Sequence, residues 1–163
     1  MSYGIDINFN KSIEGSSVID HYQVTLPFSR SPNEFKDLGK PLILHSHFFN
    51  PFEKFEFTSE FKKVLNELNP LFIVEHFWNP RDKRVLDNFP VLNQKDINKI
   101  EENIIFYKNK LGVKLSLENL FPQNDIISYY KNLTTLINKC DLMFTLDLSH
   151  FLISYSMLAS SER

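Results

Sequence analysis

The chain has 163 residues, 42% of them hydrophobic, with 16 Phe, 4 Gly and a formal net charge of −2. That is one domain's length with enough apolar residues for a real core, and it is not a disordered, collagenous or low-complexity chain. No basic surplus marks a nucleic-acid groove, and the single cysteine, Cys140, excludes an internal disulfide framework and fits a reducing, cytoplasmic setting.

Strands and helices alternate along the chain. "GIDINFN" (Gly4 to Asn10) and "DHYQVTLPF" (Asp20 to Phe28) read as short strands, the second with period-2 polarity. His21, at its start, reads as an ordinary surface or packing residue. "PLILHSHFF" (Pro41 to Phe49) is a third strand. "FTSEFKKVLNELNP" then reads as a helix. Thr58 or Ser59 can cap it, Phe61, Val64, Leu65 and Leu68 form one face, and Asn69-Pro70 stops it. "LFIVEHFW" is the fourth strand. "NQKDINKIEENIIFYKNKLG" is the clearest helix: Asn93 caps it, Asp96 sits in its first turn, Ile97, Ile100, Ile104 and Leu111 make a stripe, and Gly112 ends it. "VKLSLENLF" is the fifth strand. "NDIISYYKNLTTLINK" is a helix with Ile126, Ile127, Tyr130, Leu133 and Ile137 inward. "DLMFTLDLSHFLIS" is a sixth strand with its exit loop.

This alternation implies an α/β fold, a parallel sheet with helical crossovers. No Gly-rich phosphate turn follows an early strand, which removes the usual sign of a dinucleotide fold. The competing architecture is a TIM-type (β/α) barrel, here incomplete, with about six of eight β/α units forming one domain over residues 1–163. The N-terminus has neither region of a signal peptide, and no apolar run approaches the ~20 residues of a membrane span.

Four strands in succession end on residues suited to metals. His45 and His47 follow "PLIL", Glu75 and His76 follow "LFIV", Glu118 and Asn119 follow "VKLSL", and Asp147 and His150 follow "LMFTL". In a (β/α) barrel these ends open on one face, where side chains from several strands converge. Imidazoles with carboxylates suit Zn, Mn or Fe, and a bridging carboxylate can hold two ions. A single histidine near a strand end is more often a hydrogen-bonded loop residue than a ligand, and Asp147-x-x-His150 alone could be a turn cap followed by a packed ring. Neighbouring strand residues face opposite ways, so only one of Glu75 and His76 can enter the mouth. His45 and His47 share a face, and one of them can be structural. Recurrence in four units is what favours a site.

At these residues the sequence resembles a known family, the multinuclear non-haem iron-dependent oxidative enzymes, within the wider xylose-isomerase-like barrels. Members show a strand ending in a Ser-Glu-His-Leu-type motif, a Leu-Pro loop, a long helix closed by Leu-Gly, a strand ending in Leu-Glu-Asn, and one ending in Leu-Asp-x-x-Asn. The similar pieces here are "IVEHFW", "NFPVL", the helix to Leu111-Gly112, "LSLENL" and "TLDLSH", where His150 replaces the Asn. "PLILHSHFF" is similar to the family's Leu-His-Gly-x-Gly strand, with Ser46, His47 and Phe for the glycines. The likeness runs from about Pro41 to Ser154.

The resemblance implies a barrel with two or three iron ions, using O₂ to modify ribosomally made peptides, with a partner protein presenting the peptide. It implies His45, His76, Glu118, Asp147 and His150 as ligands, with Glu118 bridging; the strand-end pattern adds His47, Glu75 and Asn119 as further candidates. The Asp-x-x-His spacing is also similar to sugar isomerases and epimerases of the wider group, which would use Mn or another divalent ion such as Zn. A whole barrel takes about 250 residues and eight strands. Six are legible, which leaves three expectations: a truncated enzyme, a chain completed by a second copy or another subunit, or a non-catalytic remnant acting as a binding module.

Overall fold

A computed structural model describes residues 4–6, 21–25, 35, 39, 41–46, 50, 53–54, 57–77, 92–120 and 126–161. The element order is β1 (Gly4–Asp6), β2 (His21–Thr25), β3 (Leu42–Ser46), α1 (Ser59–Leu68), β4 (Phe72–His76), α2 (Gln94–Leu111), β5 (Lys114–Glu118), α3 (Ile126–Cys140), β6 (Met143–Thr145) and α4 (Leu148–Ser161). Every pairing is parallel and the six strands lie side by side in chain order. A doubly wound sheet reverses its strand order at a switch point. Among the described residues the sheet has no reversal, so it has the order of a (β/α) barrel, with six of a barrel's eight strands described. The expected strand ends at Asn10 and Phe28, and His47, lie outside the described residues.

Local chemistry sets the helix ends where the sequence predicts them. Thr58 Oγ1 accepts from the Phe61 N–H at 3.2 Å, and Asn69 closes α1 in the left-handed region at φ 44°. Asn93 and Asp96 form a reciprocal capping box at the start of α2. Gly112 ends it at φ 70°. A Cβ there would meet nothing within 4 Å, so Gly112→Ala is expected to lose about 1 kcal/mol, from backbone strain alone. A denaturant titration with unchanged slope measures that loss. Lys108 of α2 donates to the carbonyls of Cys140 and Asp141 at 2.9 and 2.7 Å, so a cation covers the C-terminus of α3.

The helix-facing side of the sheet carries the main core. Leu42, Leu44, Ile73, Leu115 and Leu117 pack there against Leu65, Ile100, Ile104, Tyr129, Leu133 and Leu136. Two expectations are corrected. Ile127 is 69% exposed, and Tyr129 is fully buried instead, its hydroxyl accepting from the Leu120 N–H at 2.7 Å. The inward stripe of α3 is Tyr129, Leu133, Leu136 and Cys140, because that phenol satisfies a backbone donor that a leucine or isoleucine could not. Burial pushes the Cys140 thiol up to about 11, which leaves it a packing residue and not a nucleophile. The expected exit loop after the sixth strand is instead α4. Asp147 caps it, its Oδ1 accepting from the His150 N–H at 2.9 Å. Among the described residues no helix is long and apolar enough to cross a membrane.

Candidate metal centre

Side-chain alternation divides the strand ends between two faces of the sheet. His45, His76 and Glu118 share one face with Val74 and Ser116. Ser46 and Glu75 point the other way, toward the helices. Parallel register places these residues side by side: Ser46 pairs with Glu75, and His76 with Glu118.

Glu118, 4% exposed, is the centre. Its Oε2 lies 3.3 Å from His45 Nε2, and its Oε1 lies 3.1 Å from His76 Nε2 and 3.6 Å from His150 Nδ1. His150 is also 3.8 Å from Asp147 Oδ2. Two groups result, His45–His76–Glu118 and Glu118–Asp147–His150, and within each the donor atoms lie within 4.8 Å of one another. Donors held about 2.0–2.2 Å from one ion are about 3.0–3.5 Å apart. The contacts of His45 and His76 with Glu118 fall in that range, so these three residues fit one ion, while the contacts of His150 with Glu118 and Asp147, at 3.6 and 3.8 Å, lie just beyond it.

The surrounding hydrogen bonds orient the rings. His150 Nδ1 is 2.8 Å from the Asn119 carbonyl oxygen. A carbonyl only accepts, so Nδ1, the same nitrogen that stands 3.6 Å from Glu118 and 3.8 Å from Asp147, carries a proton, and a ring lone pair can meet an ion only through Nε2. This is the usual support of a metal-binding imidazole. Asn119 itself is engaged with backbone and phenol. Its Oδ1 accepts from the Asp147 N–H at 2.8 Å, and its Nδ2 donates to the Asp147 carbonyl at 3.1 Å and to Tyr130 at 3.3 Å. It therefore fixes the loop that delivers Asp147 and His150.

Gln23 is a residue that the sequence did not suggest. Its amide nitrogen, as placed, lies 3.1 Å from His45 Nδ1. An amide can meet the ring either way round. With its oxygen accepting from Nδ1–H, the His45 lone pair falls on Nε2, the nitrogen beside Glu118. Gln23→Leu is therefore expected to weaken metal binding about tenfold, read from an anaerobic Co(II) titration. An unchanged affinity would assign no such role to the amide. The only sequence signal for Gln23 is the polar alternation of "HYQVT".

Glu75 also stands apart from both groups. It is fully buried behind the sheet, where Ser46 Oγ and Tyr107 OH both donate to its Oε1. Burial, reinforced by the neighbouring Glu75, holds the Tyr107 phenol well above its ordinary range. A carboxylate, a serine from β3 and a tyrosine from α2 thus pin the two strands that carry His45 and His76.

No family model matches the chain, and no curated protein matches it. A solved xylose isomerase-like TIM barrel/4-hydroxyphenylpyruvate dioxygenase fusion protein is similar in backbone course, with a TM-score of 0.47 and 13% identity. The match covers 78% of this chain and 22% of that one. So low a likeness carries no argument about chemistry.

Proposed function

We propose that this chain is a metal-dependent oxidative enzyme of the peptide-modifying, multinuclear iron kind. One observation carries the proposal: two candidate ligand groups meet on a single buried carboxylate, whose two oxygens face different imidazoles. Three imidazoles with two carboxylates suit iron. Iron held there would supply redox chemistry with O₂ and affinity for a soft thiolate. The chain's own part is to hold the donors. Glu118 brings negative charge between the two groups, the Asn119 carbonyl fixes the His150 tautomer, and Asp147 both caps α4 and offers Oδ2.

On this proposal the substrate is a ribosomally made peptide, delivered by a presenting protein in the cytoplasm. The 163 residues act as one partial barrel domain, completed by a further chain or copy. The Asp147-x-x-His150 group favours a second reading, a divalent-metal sugar isomerase or epimerase with Mn or Zn.

Elemental analysis of protein purified without O₂ or chelators tests the proposal. Near-stoichiometric or greater iron, with visible absorption, is the expected result. A colourless Mn or Zn protein would favour the isomerase, and a metal-free protein would overturn both and leave a binding module.

A further inference from the structure

Helix α4 has the composition of an enclosed helix without the enclosure. Over Leu148–Ser161 it carries no Asp, Glu, Lys or Arg, which is usual for a helix covered all round. Yet Leu148 is 63% exposed, Leu152 61%, Tyr155 62% and Phe151 42%. These four recur at i, i+3, i+4 and i+7, so they form one stripe. Beside it runs a groove of about 310 Å³ between α3 and α4, lined by Ile126, Ile127, Tyr130, Phe151, Ser154 and Tyr155. Ser154 is 1% exposed, and its hydroxyl has no hydrogen-bond partner among the described residues. A buried hydroxyl in that state is relieved by a polar atom arriving with whatever covers the groove.

We propose that a second copy of this chain covers this face, the α4 stripe of each copy lying in the α3–α4 groove of the other. Ridge and groove stand side by side on the same two helices, which is what a self-complementary two-fold contact requires. None of the stripe or groove residues is charged, so the two-fold brings no like charges together. The stripe and Ile127, five side chains 42–69% exposed, offer about 600 Å² per copy if each large apolar side chain has about 200 Å². That is about what each partner buries in the smallest stable specific interfaces. A membrane is a poorer occupant, because α4 has no Lys or Arg to meet headgroups. The proposal stands independently of any metal at the strand ends.

Sedimentation velocity over about a hundredfold range of concentration tests it. The wild type is expected to sediment as a dimer. Leu152→Glu on α4 and Ile127→Glu on α3 alter exposed positions, so far-UV circular dichroism should be unchanged. Each should weaken dimerisation at least tenfold, because each buries an unpaired charge in the contact. A wild type that is monomeric throughout, or a dimer that neither substitution weakens, would overturn the proposal.

Discussion

Glu118→Ala is expected to lower metal affinity by more than about 100-fold, beyond what loss of a supporting hydrogen bond produces. The reason is its position. Both ligand groups include this one carboxylate, so its removal leaves His45 and His76 without an anion and separates them from Asp147 and His150. Glu118→Gln divides the effect further, since it keeps the shape and loses the charge. Anaerobic metal titration followed by elemental analysis reads the outcome, with circular dichroism confirming the fold. Unchanged metal per chain in the alanine variant would refute the ligand assignment.

Tyr107→Phe should destabilise the chain by about 2 kcal/mol, the scale of a hydrogen bond to a buried charged group. The ring still packs in the core, but Glu75, with 0% exposure, loses one of its two hydroxyl donors. Ser46 still donates, which limits the loss. Denaturant midpoints at unchanged slope measure it. A pH series adds a second readout. The folded phenol of Tyr107 ionises well above the unfolded one, so its contribution is complete below about pH 10 and declines as pH rises beyond that. Wild type should therefore lose stability more steeply above pH 10 than Tyr107→Phe. Equal alkaline slopes would mean that the hydroxyl is not held as described.

What could be read from the sequence follows from how local each signal is. The caps at Asn93 and Gly112 depend on a few neighbouring residues, and they lie where the sequence puts them. The strand-end residues show as a repeat along the chain, and parallel register brings His45 and His76 beside Glu118, while Asn119 holds Asp147 and His150 near it. Alternation also implied that Glu75 and His76 face apart, but not that Ser46 and Tyr107 would receive the carboxylate, because those partners come from other elements. Gln23 was invisible for the same reason. Helix α4 was misread as a loop because it has no charged face and its apolar residues and serines are spread around it, so its helical period is weak. Ile127 and Tyr129 exchanged places for want of one long-range fact, the Leu120 N–H that seeks the Tyr129 oxygen.

Neighbours in this sheet are neighbours in sequence throughout. Each β/α unit can therefore dock on its predecessor as the chain leaves the ribosome, with no strand waiting for a later one to be inserted beside it. The five candidate ligands are spread across that order, from His45 in β3 to His150 at the start of α4. All five are together only after the unit that carries Asp147 and His150 has docked. On the proposed reading, metal capture by both groups waits for the unit that carries Asp147 and His150, and a chain stalled before Asp147 would leave Glu118 with one group of donors and not two.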